Sequence, residues 1–253
     1  MFSKGLTISR GSSLAALVAA TVIAGASAAR AATVIGVNFT GSNFESVTGT
    51  TGVVPQSGWN NESGGSGTSV AVTDSVGGAG GSLTWSDPSG VYAGGPSSTP
   101  TEELYSGWLD NTDTTGSTAT TVSLSNLPSS ITGSGGNNPY DVYLYISDDN
   151  AGRGGTYTVN GTSEVLISNG TYSSFAPITP GASSSGTGNY YEFTNVTGTT
   201  LNISAVVTGN GYRAPLNGFQ VVSAAAVPEP ATLGLVAAGG LGLLLVGKRR
   251  KAV

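Results

Sequence analysis

The sequence predicts an all-β fold, an antiparallel β-sandwich flanked by one apolar helix near each end of the chain. Three observations carry this expectation. Residues 33–226 form a succession of short β-branched or aromatic runs separated by Gly, Ser, Asn and Pro, with little helical periodicity. About eleven such runs follow one another with no helix between them, which favours antiparallel pairing over a βαβ arrangement. The cations sit at the ends: the only basic side chains in residues 33–226 are Arg153 and Arg213, set against 13 acidic ones for a net charge of −11.

The elements follow in order. Strands are predicted at 33–40, 69–73, 82–86, 104–109 and 120–127, then at 140–147, 156–160, 164–168, 190–195, 201–208 and 216–223. Alternation of apolar and polar residues is clearest in Val122-Ser123-Leu124-Ser125 and in Val142-Tyr143-Leu144-Tyr145. The glycines fall in the turns between runs, and no fixed repeat appears, which argues against a solenoid or propeller.

Both ends read as addresses. Residues 1–32 have the form of a signal peptide: Lys4 and Arg10, an apolar stretch over 14–26, then Ala26-Ser27-Ala28 and Ala29-Arg30-Ala31 as alternative cleavage sites for signal peptidase. At the other end, Val227-Pro228-Glu229-Pro230 leads into an apolar segment over 231–247, followed by Lys248-Arg249-Arg250-Lys251. As a helix this segment is about 25 Å long, the lower limit for a membrane span, and the basic cluster is a stop that stays in the cytoplasm. The sequence thus divides into a signal peptide at 1–32, a β domain at 33–226 and a C-terminal segment at 227–253.

The order Val-Pro-Glu-Pro, glycine-rich apolar helix and basic terminus resembles the PEP-CTERM sorting signal of bacterial exported proteins. The same module occurs as the C-terminal domain of some ice-binding proteins. The resemblance implies recognition of Pro228, Glu229 and Pro230 by a membrane exosortase. It also implies anchoring by the C-terminal helix before processing, and delivery to the cell envelope or extracellular matrix. In the middle, Val34-Ile35-Gly36-Val37-Asn38-Phe39, the run Tyr140, Val142, Leu144, and Leu216-Asn217-Gly218-Phe219-Gln220-Val221 resemble malectin-like and galactose-binding-like jelly rolls. That resemblance implies an antiparallel jelly-roll sandwich whose first and last strands pair.

Composition restricts the chemistry. The chain has no Cys and no His, and residues 33–226 also lack Lys. Thiolate, Ser-His-Asp, Ser-Lys and Schiff-base mechanisms therefore have no agent there. Carboxylate chemistry survives, but a glycosidase needs two carboxyl groups facing each other across a bond, and the neighbours Glu102-Glu103 and Asp148-Asp149 do not provide this by themselves. The expectation is a non-enzyme. No cofactor is required; the one candidate is calcium. Asp148 and Asn150, in the loop Asp148-Asp149-Asn150-Ala151-Gly152, could start an oxygen-ligand calcium loop, with Asp110-Asn111-Thr112-Asp113 as a second candidate. The competing account is turns in which Asp and Asn bond their own backbone.

Trp59, Trp85, Trp108 and Tyr212 are candidates for a glycan-binding surface, since flat aromatic faces stack on sugars; the competing account is that they fill the core and rim. So acidic a domain argues against nucleic acid as a partner. The sequence reading is an exported surface or matrix protein, non-catalytic, with a structural or extracellular-polysaccharide-associated sandwich. A carbohydrate-binding module, a carboxylate glycosidase and an ice-binding protein are its alternatives, the last requiring a regular threonine array where the chain shows scattered threonines.

Overall fold

The computed structural model describes residues 32–41, 46–181, 185–208 and 212–224. Two sheets face each other. The five-stranded sheet runs β11-β8-β14-β1-β2: β11 Tyr190–Val196, β8 Tyr140–Tyr145, β14 Gly218–Ser223, β1 Val34–Thr40 and β2 Asn60–Ser63. The six-stranded sheet runs β10-β9-β12-β7-β4-β3: β10 Thr162–Ile167, β9 Gly154–Val159, β12 Thr200–Val207, β7 Thr120–Ser125, β4 Ala79–Ser86 and β3 Ser66–Thr73. A small third sheet joins β13 Ala214–Leu216, β6 Gly107–Asn111 and β5 Val91–Ala93.

Alternation builds the core between the two large sheets. Val122 and Leu124 of β7, Leu83 and Trp85 of β4 and Ile203 of β12 point inward, against Val142 and Leu144 of β8 and Phe219 and Val221 of β14. The first and last strands pair antiparallel, with Val34 opposite Val222 and Val37 opposite Phe219. Every residue of β1 is buried, because the outer side of its sheet is covered as well. There Val47, Trp59, Leu104, Tyr105 and Tyr145 form a second core, with Tyr172, Phe175 and Tyr190 packed against it. The cover lies so close that a Cβ on Gly36 would run into the Gln56 side chain.

Four expectations need correction. The first is the membrane helix. Among the described residues no helix is long and apolar enough to cross a membrane; the two α-helices there, α1 Pro100–Ser106 and α2 Ser129–Thr132, have 7 and 4 residues. The span expected at 231–247 lies outside the described residues, as do Pro228, Glu229 and Pro230, the basic stop Lys248, Arg249, Arg250 and Lys251, and the signal helix. The transmembrane helix, and the membrane anchoring built on it, are therefore withdrawn. What stands is an all-β domain of mixed, largely antiparallel sheets.

The second correction is to strand direction, since β2 runs parallel to β1. The third concerns the strand expected over 104–109, whose first half is helical. Thr99 caps α1 by accepting the Glu102 N–H at 3.3 Å, Pro100 opens its first turn, and Glu102 reaches back to the Ser98 N–H at 3.0 Å. This is a capping-box arrangement in which Glu102 reaches one residue past the cap, and it outweighs the strand preference of Leu104-Tyr105. The fourth is the strand expected over 216–223, which breaks at Asn217. Its Oδ1 accepts the Ser147 N–H at 2.6 Å and its Nδ2 donates to the Tyr105 and Gly107 carbonyls at 3.0 Å each. One buried amide thus ties the segment after β8, α1 and β6 to the final strand.

Candidate functional site

The two arginines, far apart in sequence, meet at one end of the domain. Arg213 precedes β13, which pairs with β6 so that Pro215 lies opposite Asp110, two residues along from Arg213. Its Nη1 donates to both oxygens of Asp110, at 3.1 and 3.0 Å. Asp110 also accepts the Trp108 indole N–H at 3.0 Å. The Arg213 guanidinium lies 5.0 Å from the centre of the Tyr92 ring, and Tyr92 in turn packs on Trp108. A closed circuit of Trp108, Asp110, Arg213 and Tyr92 results, with Trp108 fully buried and Tyr92 43 % exposed.

A second circuit lies beside it. Asp148, just past β8, is fully buried. Its Oδ1 accepts the Asn150 N–H at 2.9 Å, and its Oδ2 stands 3.7 Å from Arg153 Nε, outside hydrogen-bond range. Arg153 lies 5.1 Å from the centre of the Tyr212 ring, which is 69 % exposed. Burial pushes the Asp148 carboxyl up to about 6, and the Asp149 charge adds to this; the Asn150 N–H and the charges of Arg153 and Arg213 oppose it. Tyr172, its hydroxyl unpartnered, lies near both carboxylates, and burial first and those charges next push it well up. The shared pattern is an aspartate at the back, a guanidinium in the middle and a tyrosine ring in front.

The other expected site residues are distributed differently. Trp59, Trp85 and Trp108 are 6 %, 4 % and 0 % exposed, so none offers a flat face to a sugar. The reason is position on the strands. Trp85 shares its side of β4 with Leu83, Trp108 lies in a strand buried along its whole length, and Trp59 packs edge-on against Tyr145 at 5.9 Å. Tyr212 alone of that set is at the surface. In the loop of Asp148 and Asn150, the Asn150 amide donates to Asp149 at 2.8 Å and so turns a donor, not an oxygen, toward its neighbour.

In the second loop Asp110 is held by Arg213. Asn111 donates to the Ala205 carbonyl at 3.0 Å, and Asp113 accepts from Thr115 and Thr118, whose hydroxyls hold its carboxyl well below the usual range. These are turn-forming bonds, and they occupy the oxygens a cation would need. Among the described residues no three Asp or Glu side chains converge as a metal site. Nor do Asp110 and Asp148 suit a glycosidase, since one is bound to Arg213 on both oxygens and the other is sealed from solvent.

That Arg153 and Arg213 lie at the same end depends on tertiary structure that no local pattern around either residue carries. The available signal was scarcity: two cations among thirteen acids each find a carboxylate, and the nearest buried one decides where. Asn217 lies within the Leu216–Val221 motif, and nothing in that motif marks its buried amide as the tie between distant segments.

Comparison with known proteins bears on the C-terminal segment. Residues 226–251 match the PEP-CTERM protein-sorting motif, a stretch that contains Pro228, Glu229 and Pro230. No curated protein and no solved structure matches the chain.

Proposed function

We propose that this is an exported protein of the cell surface or extracellular matrix, and that its sandwich is a non-catalytic module that contacts glycan through the arginine–tyrosine end. The sorting motif implies processing by an exosortase-type enzyme, and the N-terminal segment makes signal peptidase the earlier partner. The observation that carries the glycan reading is the double Asp–Arg–Tyr arrangement. Exposed Tyr92 and Tyr212 give rings for the C–H face of a sugar, while the guanidinium edges behind them give fixed donors for its hydroxyls. Each arginine is balanced by an aspartate, so the end attracts no strong counter-ion and suits an uncharged or weakly charged saccharide.

The test is binding of the purified full-length chain to a panel of polysaccharides, including the producing cell's own. Tyr212→Ala and Arg153→Ala are each expected to weaken binding by about tenfold, the value of one stacking or cation–π contact at this scale. Failure of every polymer at millimolar sugar, or binding indifferent to both changes, would sink the reading.

A further inference from the structure

We propose a second binding surface, independent of the arginine–tyrosine end: the outer face of the six-stranded sheet, which takes a neutral polyhydroxylated chain lying across its strands. Strand register gathers hydroxyls that look scattered in the sequence. Ser163, Thr158, Ser204, Thr121 and Ser86 are successive partners across five strands. A parallel row holds Asn202, Ser123 and Thr84, and a third holds Thr200, Ser125 and Ser82. Neighbouring strands lie ~4.8 Å apart, so a chain crossing them meets a hydrogen-bonding side chain at each one. Threonine adds a methyl beside each hydroxyl, which gives apolar contact as well.

Charge selects the occupant. Glu164 is the sole charged residue in the six strands, and its partner Tyr157 points into the core, so this face carries none. This uncharged face lies on a domain with 13 acids against two arginines. An acidic polymer is repelled by the domain as a whole, and a basic one is drawn to carboxylates elsewhere. A neutral chain desolvates only hydroxyls and amides.

Shape points the same way. A shallow hollow of about 260 Å³ lies over Thr84, Thr121, Ser123, Thr158, Asn202 and Ser204. The side chains of Thr121, Ser123, Asn202 and Ser204 make no hydrogen bond to the other described residues. A hollow in a twisted sheet fits a flexible chain better than a flat crystal plane. Because each hydroxyl contact replaces one with water and so nets little, affinity has to come from repetition. Polymers should bind, and their monomers should not compete.

The experiment is affinity electrophoresis of the full-length chain in gels containing hydroxyethylcellulose, dextran or alginate. Retardation by a neutral polymer is expected, growing with its chain length. With free monosaccharide present to saturate the arginine–tyrosine end, it should fall at least fivefold in the combined variant Thr121→Ala, Ser123→Ala, Ser204→Ala and remain in Tyr212→Ala. If the triple variant does not reach the parent melting temperature, Ser123→Glu alone answers the same question by placing a charge in the hollow. No retardation by either neutral polymer overturns the proposal, as does retardation that survives the face variants. Loss with Tyr212→Ala alone assigns binding to the arginine–tyrosine end, so this proposal falls while the other stands. Thermal hysteresis without polymer binding, abolished by the triple variant, makes the occupant ice and overturns the stated one.

Discussion

The two large sheets share one core, yet their outer faces were built to opposite rules. Outside the five-stranded sheet, chain excursions bury Tyr145, Gln220 and Trp59, and polar groups there need partners inside the protein. Tyr145 accepts the Val53 N–H at 2.8 Å and donates to Gln220, while Gln220 bonds the Val54 carbonyl at 2.8 Å. Outside the six-stranded sheet the polar groups are Ser, Thr and Asn side chains open to solvent. The difference shows that polar content does not define a face; what covers it does. Under a cover, a hydroxyl is part of the fold's stability. Without one, it is free to be part of a surface.

The sharpest way to break this contrast is Tyr145→Ala. Removing a fully buried aromatic ring should cost about 3–5 kcal/mol in urea unfolding. Tyr145→Phe, which leaves the buried Val53 N–H without its acceptor and takes one donor from Gln220 Oε1, should cost about 1–3 kcal/mol. A cost below about 1 kcal/mol for the alanine variant means that the covered face is not a second core.

Asp148 gives the intermediate effect, because it is a buried carboxyl and the bare sheet face has none. Its folded pKa of about 6 lies above the unfolded value near 3.9. Between the two the folded state keeps a proton that the unfolded state has lost, so this group makes stability fall as pH rises from about 4 to about 6. Comparing parent and Asp148→Asn by urea unfolding at pH 4 and pH 7 should show that the variant lacks a loss on the order of 2 kcal/mol. Equal pH slopes in the two proteins would remove the argument.

The smallest effect is expected on the bare face. Ser123→Ala and Thr121→Ala should each stay within ~0.5 kcal/mol of the parent, as for solvated positions with no internal partner. A larger loss in chemical denaturation would show these hydroxyls to be structural.

Much of the sandwich was legible because alternation is local. Val122 and Leu124, or Val142 and Leu144, announce their inward side within one strand. The same rule, applied to Leu83-Thr84-Trp85, puts Trp85 on the inward side with Leu83. The helix start before Leu104 is also local, at Thr99, Pro100 and Glu102, and competes there with the strand preference of Leu104-Tyr105. Other features depend on register between distant strands. The pairing of Arg213 with Asp110 arises only when β13 lies beside β6, and the hydroxyl rows only when β12 lies beside β7 and β9. Asn217 is similar: its identity was visible, but its three partners are scattered from Tyr105 to Ser147.

The position of β14 bears on how the domain carries mechanical load. It is the middle strand of its sheet, antiparallel to β8 on one side and β1 on the other, and the chain leaves it toward the sorting motif. A pull transmitted from the C-terminal side, against a polymer held on the sandwich, stresses both neighbouring ladders along their length, and their hydrogen bonds share the force. A pull between Val34 and Ser223 would instead part β1 from β14 one bond at a time. The domain is therefore tough against tension between its C-terminal side and its surface, and weak against tension between its own two ends.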